Sequence, residues 1–491
     1  MFSRNRNRQL SIDPRLGQRG RVLGCLLFLA LVAGALLLGA AGAEAATFTV
    51  NSPADVPDAT PGNGVCETAA GNGVCTLRAA IQEANLHAGA DTIILQANVT
   101  YLLTRVGVDD TALNGDLDIL DSVTITGAGP GSTIIDGNGA VTGERVLQIS
   151  ACTGGSFPCD GSHPAVVVSM SGVTIQHGKS PNFGGGMINN GTLTLTNSSI
   201  AHNTVSGTND WGGGIYNSGT LTLINSTVAN NLSGSSNPFG GGIFNQGPMT
   251  ITNSTISGNT TGGAGGGIYN IGKTATITGS TISGNTAAKG GGINKAGSPL
   301  IVINSTISGN FSTGSGGGIY ALSGTADLFN TTVTNNLANS DGVGVGVGGG
   351  VTNASSSTLN FQNSIIALNE NVIVTGGGNI LNLDDCSGTI TSQGNSIMFA
   401  VDTGYCTANG APTIVDPNFG QLQFNGGLTQ THALLTGSPA IDAGNSGGCT
   451  DNLGAILTSD QRGFHRPVGS QCDIGAFEVQ PDVIFRNGFE P

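Results

Sequence analysis

Charge is the scarcest commodity in this 491-residue chain: Asp, Glu, Lys and Arg together make 9 per cent, and aromatics 5 per cent with a single Trp. That shortage excludes an ordinary multidomain enzyme, in which about a quarter of the residues are charged. Proline is sparse too, at 17, and no glycine recurs every third residue, which excludes collagen. Disorder is disfavoured, because disordered chains are charge-rich and poor in β-branched residues. What the chain has instead is glycine, 82 residues or about 17 per cent against a usual ~7 per cent, with Asn, Ser, Thr and aliphatics. That is the composition of a stacked repeat.

The few basic residues gather at the start. Arg4, Arg6, Arg8, Arg15, Arg19 and Arg21 precede an apolar run, Val22 to Leu38, and a small-residue stretch, Ala40 to Ala46. This order is that of a secretory signal over 1–45, with Ala43-Glu44-Ala45 as the cleavage site; a retained membrane anchor is the alternative. Cleavage removes six Arg, Asp13 and Glu44 and leaves 10 basic and 28 acidic residues, a charge of −18. Such a surface repels nucleic acid and anionic lipid, and an acidic ligand would need locally supplied cations. The expected setting is outside the cell or on its surface, with no integral membrane segment after cleavage. Eight cysteines then remain, an even number suited to an oxidising compartment. They fall into local couples, Cys66/Cys75, Cys152/Cys159, Cys386/Cys406 and Cys449/Cys472, and sequential pairing is the expectation among 105 connectivities. Zinc is the competing reading, disfavoured because no couple has Cys-x2–4-Cys spacing and no His cluster accompanies them.

Self-similarity dominates residues 184–370. Gly-Gly-Gly precedes Met187, Ile215, Ile243, Ile268, Ile293, Ile319 and Val351, and each unit closes on an Asn: Asn203, Asn231, Asn259, Asn285, Asn310, Asn336 and Asn369. Between them a strand alternates with period two, Leu193 and Leu195 one way and Thr192, Thr194 and Thr196 the other. Units of ~25 residues cannot bury an apolar face alone, so they stack and share one aliphatic core. The closing Asn positions suit turns in which each amide bonds to its copy one rung away. The expected fold is all-β, a right-handed parallel β-helix of pectate-lyase-like form over 106–436. Weaker rungs precede the repeats at Ser122–Thr126, Ser132–Gly137, Val146–Ile149 and Val166–Ile175. Solenoid ends need caps. Leu77, Ala80, Ile81 and Ala84 lie at helical spacing after Thr76, a candidate N-cap, and before Gly89, and predict a short capping helix within an N-terminal cap, 46–105.

Two flanking motifs resemble known families. Cys75-Thr76-Leu77-Arg78-Ala79-Ala80-Ile81, followed by Ala90-Asp91-Thr92-Ile93, resembles the Cys-Ser-Leu-Arg-Glu-Ala (CSLREA) motif of bacterial surface β-helix proteins, departing from it at Thr76 and Ala79. Ser438-Pro439-Ala440-Ile441-Asp442-Ala443-Gly444, with Asp460-Gln461-Arg462-Gly463 and Cys472-Asp473-Ile474-Gly475-Ala476-Phe477-Glu478, resembles the choice-of-anchor Q domain, here 437–480. The repeats are similar to those of chlamydial polymorphic outer-membrane adhesins, which carry Phe where this chain has Ile200, Val228 or Ile256. The autotransporter barrel that ends those adhesins is not expected in the 54 residues after Gly437. The resemblances imply a surface-located β-helix, an adhesin or carbohydrate binder that would meet export and sorting machinery, and they imply no activity.

The candidate sites are few. Tyr216, Phe244, Tyr269 and Tyr320 each follow an anchoring Ile, so alternation turns them away from the core, and Phe183, Trp211 and Phe239 stand just before Gly triplets. Rings stacked at rung spacing would form a platform for sugar faces; the bland alternative is that loops cover them as packing. Asp116, Asp118 and Asp121, with Asp109 and Asp110, are the candidate Ca²⁺ ligands, though without the spacing of a known loop, and no other cofactor is expected. Within 184–369 the charges are Asp210, Lys273, Lys289, Lys295, Asp327 and Asp341, with no carboxylate pair for a hydrolase. The three lysines read as solvated. Asp460, Arg462, Arg466 and Asp473 are expected to make ion pairs, and His163, His177 and His202 read as surface histidines without ligand partners. A polysaccharide or cell-surface glycan binder is therefore the first expectation; a polysaccharide lyase or glycoside hydrolase, and a structural spacer, are the alternatives. The tail, 481–491, carries Ile484, Phe485 and Phe489 and is either a sorting signal or a cap on the last rung.

Overall fold

The computed structural model describes residues 44–149, 166–207, 210–234, 238–375, 378–401 and 405–481. Residues 1–43, most of the expected signal segment 1–45, together with Cys152, Cys159, His163 and the tail from residue 482 lie outside the described residues. The chain divides into two units, 1–45 and 46–491, and the described strands and helices all belong to the second.

From Met187 to Ser312 each rung of the central repeat is four short strands, as in Ile215–Asn217, Thr220–Ile224, Thr227–Ala229 and Leu232–Ser233; in the next two rungs the first pair is fused into Ile319–Phe329 and Val351–Gln362. Strands of one kind pair in parallel with their copies in the rungs on either side. Leu221 lies between Leu193 and Met249, and Val228 between Ile200 and Ile256. Among the described residues the first two kinds share a 20-stranded sheet, the third forms a 12-stranded sheet and the fourth a 9-stranded one. The molecule is a right-handed parallel β-helix. The weaker early rungs are present as Val123–Thr126, Thr133–Asp136, Leu147–Ile149, Val167–Ser171 and Thr174–Gln176.

The core follows from the period-two pattern: Ile215, Leu221, Leu223 and Val228 are fully buried and belong to one cluster running from Phe48 to Cys406. The Gly triplets make the sharp corner between rungs. Gly212 has φ +73°, which L residues rarely adopt, and a Cβ on Gly213 would stand 2.3 Å from the carbonyl oxygen of Gly241. The closing asparagines form the expected ladder. Each Nδ2 donates to the next Oδ1 at 2.9–3.0 Å from Asn203 to Asn369, and Asn369 donates to Asp385, which ends the series. A second ladder, Asn189 to Asn217 to Asn245 to Asn270, runs at 2.6–2.7 Å. These buried amides would be costly without partners, so the ladders fix the register of the stack.

A ten-residue helix, Leu77–Leu86, closes the N-terminal end; the Thr76 hydroxyl caps it by accepting from Ala79 N–H at 3.1 Å. It ends at His87, ahead of Gly89, where the His87 N–H donates to Glu83 O. Arg78, in its first turn, is buried, paired with Asp55 and donating to the carbonyls of Ala112 and Gly115. The described half-cystines pair sequentially: Cys66–Cys75, Cys386–Cys406 and Cys449–Cys472.

Residues 429–478 fold back along the outer face of the 12-stranded sheet. Gln461 donates to Thr281 and Thr429 and accepts from Thr306, and Arg466 donates to Asn304. Leu434, Ala440, Ile474 and Phe477 pack there against Ile365, Ala367 and Ile397. Asp460 pairs with Arg462 as expected, but the carboxylate paired with buried Arg466 is Glu478, at 2.8 Å, and not Asp473, which offers it a backbone carbonyl.

Candidate functional site

The aromatic residues do stack at rung spacing. Tyr216 and Phe244 have ring centroids 5.4 Å apart at 5°, and Phe244 and Tyr269 5.4 Å apart at 10°. They form a cluster of their own outside the core, as alternation requires. They are not an open platform, however: Tyr216, Phe244 and Tyr269 are only 3, 2 and 8 per cent exposed. A second layer covers them. Phe183, Trp211 and Phe239 bridge one another in register just before their glycines, and Trp211 lies over Phe244 at 4.8 Å and 13°. This outer layer is half-buried, and its column continues as Ala264 and Lys289. Tyr320 sits in the inner column but is separated from Tyr269 by Asn294, and Lys289 Nζ lies 5.5 Å from its ring centre.

The acidic candidates each have a partner within the chain. Asp116 pairs with Arg145 at 3.1 Å, Asp118 accepts from Ala112 N–H, and Asp121 accepts from Ser122 N–H. Burial, and next the neighbouring Asp116, push the Asp118 carboxyl up to about 8. Among the described residues no group of three or more His, Cys, Asp or Glu side chains is arranged to hold a metal ion. The lysines differ as well. Lys273 and Lys289 are exposed, but Lys295 is fully buried in register with Asn270, its ammonium donating to Ser323 O, and burial lowers its pKa to about 8.

A site that sequence spacing did not reveal lies at the corner between the 12- and 9-stranded sheets. Three successive rungs line an open trough of about 570 Å³: Asp136, Asn138, Gly139 and Ala140 from the first, His177 and Lys179 from the second, His202 and Thr204 from the third, with Leu102 at its side. His177 Nδ1 lies 2.8 Å from Asp136 Oδ2, and the two histidine rings are 6.0 Å apart. Burial acts to raise the Asp136 pKa. Hydrogen bonds from Gln176, Asn138 N–H and His177 outweigh it and hold the carboxyl below its ordinary value, so it is ionised. Gly139 allows the turn to close: a Cβ there would meet Lys179 N and Cβ at 2.5 Å. Asp136 and His177 are 41 residues apart, too far for any spacing rule. The usable signal was that His177 and His202 follow equivalent strands of consecutive rungs, Thr174–Gln176 and Ser199–Ala201. Chemically the trough offers an imidazole oriented by a carboxylate, a second imidazole and an ammonium.

No family model matches the chain, and no curated protein sequence does. Among solved structures, the crystal structure of pectate lyase Pel9A is similar, with a TM-score of 0.42 and 17% identity, covering 89% of this chain and 98% of that one.

Proposed function

We propose that the chain is an exported, surface-attached β-helix protein that binds a polysaccharide or cell-surface glycan in the trough between Asp136 and His202. The observation that carries this reading is the trough itself: an open depression crossing three rungs, lined by hydrogen-bonding side chains from each. The signal-like segment and the disulfides support the extracellular setting. The Asp136–His177 pair favours a second reading, a polysaccharide lyase or glycoside hydrolase, because a carboxylate-oriented imidazole can serve as a general base. One assay separates the two. A binder retains polysaccharide on an affinity gel without shortening it. Release of reducing or unsaturated ends would make the protein an enzyme, and no retention of any glycan would make it a spacer.

A further inference from the structure

We infer that the hairpin of Glu370–Thr375 and Gly378–Leu383 is where a second copy of this chain pairs, edge to edge, so that the 9-stranded sheet runs on into its partner's. The hairpin ends that sheet. Glu370 and Asn371 pair in parallel with Leu337 and Ala338, and Gly378–Leu383 runs antiparallel to Glu370–Thr375. Among the described residues Gly378–Leu383 has no other neighbouring strand. Half of its backbone N–H and C=O groups therefore face outward unpaired, a template on which another strand assembles. Beyond Asn371 the ribbon no longer pairs with the stack. Ile373 and Ile380 lie opposite each other on one face, Val372 and Leu381 on the other. Ile373, Ile380 and Leu381 are 39, 55 and 60 per cent exposed, so both faces are apolar and open. Such a two-stranded ribbon is marginal in water on its own. Exposed Val343 and Val345 extend the patch, on a loop tied to the hairpin by Asn339 Nδ2 donating to Val372 O and Asn371 Nδ2 donating to Gly346 O.

The opposite end of the same sheet is closed in the ordinary way. Its last strand, Lys179–Ser180, is two residues long, carries an exposed charge and gives the Lys179 N–H to the Glu144 carbonyl at 2.8 Å. Gly378–Leu383 has none of these devices: it is six residues, Gly-Asn-Ile-Leu-Asn-Leu, with neither charge nor proline. Electrostatics and symmetry choose the occupant. A chain of formal charge −14 repels its own copy over most of its surface, but residues 371–383 carry no charge, so two copies meet there without that cost. The strand is also self-complementary. Antiparallel pairing about a two-fold axis sets Leu381 against Leu381 of the second copy, or Ile380 against Ile380, apolar against apolar. A closed pair consumes both edges and leaves neither to propagate.

Analytical ultracentrifugation of the full chain is the test. The wild type should sediment as a monomer–dimer equilibrium at micromolar concentration. Ile380→Lys with Leu381→Lys charges an exposed edge and should give monomer throughout, with unchanged far-UV CD. Single variants Ile380→Cys, Leu381→Cys and Val374→Cys locate the contact. Under mild oxidation one of the first two should yield a disulfide-linked dimer, because paired strands bring opposite Cα atoms within about 4.5–5.5 Å. Val374→Cys, one strand further in and about 14 Å from its copy, should yield none. A wild type that stays monomeric up to its solubility limit overturns the inference. So does a dimer that survives both lysines, or one that cross-links through Val374→Cys. A monomer that binds a hydrophobic strand peptide of unrelated sequence overturns it and gives the edge to a foreign strand. Dimerisation only after residues 482–491 are deleted overturns it too and gives the edge to the chain's own tail.

Discussion

Lys295 occupies the place that Asn189, Asn217, Asn245 and Asn270 hold in the preceding rungs, and it breaks their ladder: Asn270 Nδ2 is left without an acceptor. A buried ammonium held by a backbone carbonyl is desolvated for little return. Its folded pKa, about 8, lies below the ordinary 10.5, so the unfolded chain binds the proton more tightly. The penalty is present in full below about pH 8 and is relieved as pH rises toward about 10.5. Lys295→Asn should extend the ladder, raise stability by about 1–3 kcal/mol at pH 7 and remove the gain between pH 8 and 10. Urea midpoints of both proteins across that range decide it; a less stable variant would show that the lysine supports its rung. The covered rings give a second expectation at this scale. Phe244→Ala removes a ring sandwiched between Tyr216, Tyr269 and Trp211 and should cost about 3–5 kcal/mol in thermal or urea unfolding, whereas an open recognition platform would lose almost nothing.

Among elements, the rungs and the capping helix were legible because their signals recur at fixed offsets. Leu193 and Leu195 against Thr192, Thr194 and Thr196 give the inward face directly, and the closing asparagines give the ladder. The cover over Tyr216 was not legible, since alternation sets which way a ring leaves the sheet and says nothing of what leans over it. Nor was the docking of 429–478, whose contacts span up to 180 residues, as between Gln461 and Thr281, and follow no period. That docking turns on Arg466, wholly buried between Glu478 and Asn304. Arg466→Ala leaves the Glu478 carboxylate buried without its cation, a loss of about 3–5 kcal/mol concentrated in this segment. Limited proteolysis should then cleave within 429–480 while the rungs from Ser122 to Thr278 stay protected, because repeat stacks are stabilised rung by rung. Uniform loss of protection would instead make the segment integral to the whole stack.

At the scale of the molecule, an acidic chain that keeps its few charges largely at the two ends of the helix has its pH response set there. Asp118 lies buried on the strand Leu117–Ile119, near the N-terminal end of the stack, with one carboxyl oxygen unpartnered, and burial with Asp116 beside it pushes its pKa up to about 8. Asp473, in the docked C-terminal segment, is pushed up to about 6, first by burial and then by Glu478. Both folded values lie above the ordinary 3.8, so the folded chain holds these protons more tightly than the unfolded one. Their stabilisation is complete below about pH 4 and is lost as pH rises through about 6 for Asp473 and about 8 for Asp118. Asp109 and Asp136 work in the opposite sense, since their pKa values are lowered and their contribution disappears only as pH falls below the ordinary carboxylate range. Stability should therefore rise as pH falls from 8 to about 4.5, the reverse of common acid destabilisation, and drop below about pH 3.5. Asp118→Asn imitates the protonated side chain and keeps an acceptor for Ala112 N–H. It should raise the urea midpoint at pH 8 and flatten the slope between pH 6 and 8. A wild-type midpoint that falls steadily from pH 8 to 5 would mean that Asp118 is ionised in the folded chain and that this first part of the stack holds a charge after all.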